Sequence, residues 1–227
     1  MSGPKLRHEM TKPGNPSNNS QMLIRRIFVF TLLLAIAGLW RPSGLAGKPV
    51  TQSPIYYPGQ LLVASPKIRD PRFAKSVIYM VKHNATGAHG IIINKIIGKQ
   101  QIAKLMKSFG MAPKGAAGSL DVHYGGPVNP LGAFMLHSSD YKGAKSSSVD
   151  GTISFTIDIT VLRAIADGAG PRHMLLALGY AGWGPGQLGD EVARGDWSLT
   201  EATQDLVFSE KRGDIWKSIV GDSQVPL

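Results

Sequence analysis

Cysteine is absent from the 227 residues. Disulfides, thiol nucleophiles, iron–sulfur clusters and thiolate zinc sites are excluded together, and the redox character of the compartment stays open. Aromatic residues make up only 7%, so any group of rings is conspicuous. The six histidines show no His-x-x-x-His or His-Glu-x-x-His spacing; a metal site would have to be gathered by the fold. Ser65, Ser138 and Ser154 have no nucleophile-elbow context, which argues against a serine hydrolase. No cofactor motif is present, and no cofactor is expected.

A run of Lys/Arg along one helix face is also missing. The formal charge is +10, but six Lys/Arg and one acid fall in residues 1–46. The remaining chain carries 19 basic and 14 acidic residues, a net of +5. That scattered excess is ordinary for a soluble domain, so nucleic acid is not an expected partner.

Residues 1–21 are polar and rich in Pro, Gly, Ser and Asn, the composition of a disordered tail. Arg25-Arg26 then precedes fourteen uncharged residues, Ile27 to Trp40. A membrane span needs about 20 residues and a secretory h-region about 7–15, so the length favours a signal peptide over residues 22–46. Gly44-Leu45-Ala46 supplies small residues for cleavage, and Arg25-Arg26 resembles a twin-arginine signal. An uncleaved anchor with its basic end in the cytoplasm is the alternative, and a start site further downstream is another. The expected location is periplasmic or inner-membrane-anchored, with residues 27–40 as the membrane contact; it becomes cytoplasmic if the start lies downstream. Residues 47–58, with three prolines, predict an extended linker before a domain over 59–227.

Within that domain, Gly59–Ser65, Ser76–His83 and Gly90–Asn94 predict strands, the last two joined by a hairpin at Asn84-Ala85-Thr86-Gly87. Ile91-Ile92-Ile93 implies burial on both faces of its strand. Ile102, Leu105, Met106 and Phe109 share one face of a helix over 101–109. Gly110–Ser119 reads as a loose loop. Val122–Tyr124, Ala133–His137 and Thr152–Ile157 predict strands. Asp158 is placed to cap a helix over 159–166, which ends at Gly168. Leu175–Leu178 predicts a buried strand that runs into a glycine-rich loop, Gly179 to Leu188, followed by a short helix over 190–194 closed at Asp196-Trp197. Ile215–Val220 predicts the last helix. Hairpins mixed with helices give an α+β or mixed α/β class.

Candidate site residues fall at strand ends and in the glycine-rich stretches. Tyr180 and Trp183, on what reads as a loop, form the first candidate surface, because Trp and Tyr are frequent interface anchors. Trp183 could equally plug the end of the sheet. Gln187 and Glu191 lie four apart on the next helix and could hold that loop. Gly125-Gly126-Pro127-Val128 offers backbone N–H groups to an anion, or a tight turn between strands. Asn94 could orient a ligand or cap a turn. His83, His123 and His137 sit near turns, where they would meet a metal or hydrogen-bond the backbone; His89 and His173 carry a weaker signal.

The ordered motifs Gly59-Gln60-Leu61-Leu62-Val63-Ala64-Ser65-Pro66, Asp70-Pro71-Arg72-Phe73, His83–Ala88, Ile93-Asn94, Gly125–Val128, Leu136-His137 and Gly179–Trp183 with Gly186-Gln187-Leu188 resemble the YqgE/AlgH family over residues 59–221. The resemblance implies a bifurcated β-sheet curled into a pseudo-barrel and flanked by helices. It carries the label of transcriptional regulator without an established biochemistry. Two departures stand out: Gly189 replaces the acid usual after Gln-Leu, leaving Asp190 and Glu191 to supply charge, and the hydrophobic leader is an addition. Three functions follow as expectations: a non-enzymatic binding or regulatory module whose partner is a protein or small ligand; a metal-dependent or acid–base enzyme using His83, His137 and Glu191; and a transcriptional regulator.

Overall fold

A computed structural model describes residues 55–222. The tail and the leader or anchor expected over residues 1–46, and most of the expected linker, lie outside the described residues. Ten strands share one sheet: β1 (Gln60–Ala64), β2 (Val77–Asn84), β3 (Gly87–Ile92), β4 (Ile96–Gln101), β5 (Ser119–Tyr124), β6 (Val128–Ser138), β7 (Ser147–Ser148), β8 (Ile153–Thr156), β9 (Met174–Trp183) and β10 (Trp197–Glu201). The helices are α1 (Ile102–Ser108), α2 (Val161–Ala166), α3 (Gln187–Ala193), α4 (Gln204–Val207) and α5 (Ile215–Asp222), with a 3-10 turn at Arg212–Asp214.

The strand order is β10-β1-β2-β3-β9-β6-β8-β7, and the antiparallel pair β4–β5, with α1 between its strands, joins through β5. Every pairing is antiparallel except β5 with β9. Strand β9 keeps β6 on one side for most of its length. On its other side it pairs first with β5, Val122 opposite Leu176, and then with β3, Ala88 opposite Trp183. The sheet therefore forks at β9 and curls into a half-barrel with a few helices.

Period-two alternation puts successive residues of β1 to β3 into different cores. Leu61, Val63, Tyr79, Ile91 and Ile93 join one cluster with Leu136 and Leu175, whereas Leu62, Ile78, Met80 and Ile92 join another with Trp183 and Trp197. The triple isoleucine is buried on both faces for that reason, in an antiparallel sheet. A third cluster seats α1 and α2, through Ile102, Met106, Val161 and Leu162, against Val122, Met135 and Leu176.

Several local expectations need correction. Gly179 to Trp183 is not loop but the second half of β9. Its glycines let two backbones cross: a Cβ on Gly125 or Gly126 would sit inside 3.0 Å of the backbone of Gly179 or Tyr180. Gly125–Val128 is thus neither an open anion cradle nor a tight turn; Gly125 N–H donates to the Leu178 carbonyl at 2.8 Å, and Ile92 N–H donates to the Gly125 carbonyl at 3.0 Å. Trp197 does not close a helix but begins β10, paired with β1. Loop 110–118 is not loose, since the Arg163 guanidinium donates to the carbonyls of Ala112 and Lys114.

Candidate functional site

The fork at β9 separates the two aromatics expected to act together. Gly182 pairs with His89, so Tyr180, two residues earlier, faces the His89 side of the sheet. Trp183 faces the opposite side. It is 8% exposed and packs with Leu188 and Trp197. Its Nε1–H donates to Glu191 Oε2 at 2.8 Å, as does the Nε1–H of Trp197, also at 2.8 Å. Gln187 Nε2 donates to Glu191 Oε1 at 2.8 Å, and Gly184 N–H donates to Gln187 Oε1 at 3.1 Å. Glu191 is therefore the brace of this corner, satisfying two indole N–H groups that would otherwise be buried without partners. The expected pairing of Gln187 and Glu191 is present; the expected exposed surface at Trp183 is not, although its indole edge lines a cavity of about 280 Å³ beside Phe73 and Arg194.

The histidines do not converge. His83 Nδ1 accepts Tyr57 N–H at 3.3 Å between the rings of Tyr56 and Tyr57. Buried His137 gives its Nδ1 proton to the Ser138 carbonyl at 2.9 Å and meets the Ser146 hydroxyl through Nε2 at 2.9 Å. Among the described residues no group of three or more His, Cys, Asp or Glu has the geometry to hold a metal. His83, His137 and Glu191, the residues of the alternative enzyme reading, form no such metal-holding group there. Asn94 is likewise spent on structure: Oδ1 accepts Val77 N–H at 2.8 Å and Nδ2 donates to the Lys75 carbonyl at 2.8 Å.

What the fold does assemble is an aromatic cavity of about 490 Å³ on the Tyr180 face. A bulge in β2 between Met80 and Lys82 turns both Val81 and Lys82 toward it, with Lys82 opposite His89. Phe134 on β6 stacks on Phe155 of β8 at 6.1 Å and meets Tyr180 edge-on at 5.4 Å; His89 lies 5.0 Å from Tyr180. These ring contacts have the offset and edge geometries that π quadrupoles favour. Burial and then the Lys82 charge push the His89 pKa down, which favours a neutral ring at the rim. No carboxylate lines the cavity; Lys82, Asn129 and Ser147 are its other polar groups.

The mouth is apolar as well. Ile157, 63% exposed, lines it. Beside it, the register of β6 against β9 breaks between Val128 and Ala133, Asn129 adopts φ 48°, and Leu131 is thrown out to 87% exposure. An apolar interior with a few polar groups is the usual build of a small-ligand pocket. Of the residues singled out in the sequence, Tyr180 and the weaker candidate His89 line this cavity. Phe134 and Phe155 give no signal of their own, because single aromatics in strands look like ordinary core, and Lys82 reads as one more scattered surface charge.

An AlgH-like family model matches residues 61–227. A UPF0301 protein of Methylococcus capsulatus is 45% identical over 169 residues, spanning 74% of this chain and 92% of its own. A UPF0301 protein of a Jannaschia species is 42% identical, covering 71% of this chain and 85% of its own. The solution structure of the AlgH protein from Pseudomonas aeruginosa superposes with a TM-score of 0.64 at 31% identity, over 77% of this chain and 92% of that one. A Corynebacterium diphtheriae crystal structure shares the fold at 22% identity and TM-score 0.58, over 74% and 88%.

Proposed function

Since this chain belongs to the AlgH-like family, we propose that it acts as a non-enzymatic binding module whose ligand enters the aromatic cavity between β2–β3 and β6–β8. The cavity of about 490 Å³ with its exposed apolar mouth is the observation that carries this reading. Its chemistry selects the ligand class. Phe134, Phe155 and Tyr180 suit an aromatic or aliphatic body, and Lys82, without a carboxylate beside it in the lining, suits an anionic or hydrogen-bond-accepting end. The probe of choice is anilinonaphthalene sulfonate, which has both parts. Saturable one-site fluorescence enhancement is expected on the natively folded chain. Ile157→Glu, at an exposed position, should weaken that binding by about tenfold by setting a carboxylate against the sulfonate at an apolar mouth. Unchanged binding in Ile157→Glu and in the cavity-filling Phe155→Trp would remove the reading.

The module works at or beyond a membrane, held or delivered by residues 27–40. Among the described residues no helix is long and apolar enough to cross a bilayer, so this part rests on the apolar run itself. The native chain should be found in the membrane fraction, or trimmed near residue 46 when its N-terminus is sequenced. Intact chain in the soluble cytosolic fraction would refute the tether and leave the cavity reading as it stands.

A further inference from the structure

A second cleft, of about 290 Å³, opens where β5 and β9 run parallel, and it shares no lining residue with the aromatic cavity. Arg212, first residue of the 3-10 turn, lines it, yet its side chain is only 10% exposed. Arg212 Nε–H donates to His123 Nε2 at 3.2 Å. His123 is fully buried, and its Nδ1–H donates to the Leu176 carbonyl at 3.1 Å. A carbonyl only accepts and a guanidinium only donates, so the imidazole carries one proton, on Nδ1, and is neutral. His123 thus orients the guanidinium without cancelling its charge.

The other end of the fork is unfilled. Nη1 and Nη2 of Arg212 make no hydrogen bond among the described residues; Nη2 has only a long ion pair, 4.0 Å from the Asp121 carboxylate. That carboxylate also faces Lys99, at 3.8 Å. Neither nitrogen of the fork is cut off from water, since among the described residues only the Ser76 hydroxyl is a buried side-chain group without a partner; the guanidinium is held from behind by His123 and keeps its outer edge open to the cleft. Around the fork, Lys99 and Arg172 add positive charge, against Asp121 and Glu210. One wall is formed by two rings, His173 stacked on Phe208 at 5.8 Å.

We propose that Arg212, aimed by His123, anchors a second binding site for an oxyanion: the phosphate or carboxylate group of a small organic molecule whose body lies on the His173–Phe208 stack. The planar fork matches two oxygens of either group. Arg172 and Lys99 add longer-range attraction, and Asp121 and Glu210 disfavour a polyanion.

The test uses the full chain labelled with nitrogen-15, following the arginine Nε–H resonances. Inorganic phosphate and acetate are titrated separately, each against sodium chloride at matched ionic strength. The Arg212 resonance should move saturably with phosphate, acetate or both, and stay still with chloride; which titrant saturates tells phosphate from carboxylate. Arg172→Ala, at an exposed position, should weaken the saturating anion by about twofold to fivefold, the worth of one exposed charge. Arg212→Lys, which keeps the charge and loses the fork, should weaken it by roughly tenfold or more, read from the backbone amides of residues 119–123. Shifts that never saturate, that follow ionic strength alone, or that are unaltered in Arg172→Ala would overturn the site, as would unaltered binding in a folded Arg212→Lys chain. None of these outcomes bears on the aromatic cavity.

Discussion

Gly126→Ala is expected to abolish the native fold or to lower its stability by ~4 kcal/mol or more, the range reached when a side chain is forced into packed backbone. A Cβ at Gly126 would meet the backbone of Tyr180 and Ala181 inside 3.0 Å, and neither can retreat, because both belong to β9 at its crossing with β5. The backbone at Gly126, φ 148°, adds strain for any L side chain. Gly168→Ala isolates that second effect. Gly168 has φ 72° but nothing within 4 Å of its would-be Cβ, so the change should cost about 1 kcal/mol. Urea denaturation and soluble yield of the two variants separate collision from conformational strain; equal, small losses would refute the crossing as the constraint.

Acid should cost the protein roughly 3 kcal/mol between pH 6.5 and 4 through His123 alone. Burial, and then the Arg212 charge, push its pKa from 6.5 to about 4. The sign follows from which state takes the proton. The unfolded chain binds one near pH 6.5, whereas the folded chain resists until about 4. The stabilisation is complete above pH 6.5 and is lost as the pH falls through that interval. His83 and His89 are shifted the same way by burial, and both are more accessible to water, so their parts are smaller. Denaturation free energies at pH 7, 5.5 and 4.5 should fall steeply in the parent and flatten in His123→Gln. Parallel curves for the two proteins would contradict the assignment.

The sequence makes the first half of the sheet legible because its cues are local. Apolar strands at Gly59–Ser65, Ser76–His83 and Gly90–Asn94 match β1, β2 and β3, and the helical spacing of Ile102, Leu105 and Met106 matches α1. The fork was legible only through family resemblance, since its cause is a close approach between glycines more than fifty residues apart. The same glycines disguise the second half of β9 as loop: Gly179 and Gly182 suggest a turn to a local reading, whereas they make room for a neighbouring chain or for Tyr180. Strand β4, Ile-Ile-Gly-Lys-Gln-Gln, is exposed along most of its length and shows no buried alternation. Trp197 and Leu199 do alternate in β10, a signal masked by the preceding acid and arginine.

The candidate sites follow the same logic. Tyr180 and Trp183 are three apart, which a loop would allow to converge and a strand sends to opposite faces. Glu191 was singled out as a support for Trp183, and it braces Trp197 as well. Arg212 and His123 are 89 residues apart, and no spacing rule connects them.

The fork also governs how wide the aromatic cavity stands. One wall belongs to β2 and β3 and the other to β6 and β8, and β9 is the strand that bonds to both β3 and β6. Spreading the walls means splaying the two arms of the sheet about Gly179, whose φ of 73° marks the bend where β9 changes neighbours. If the proposed ligand does enter there, bulky guests and slender ones would be told apart by the stiffness of a single backbone elbow, well before any side chain turned aside.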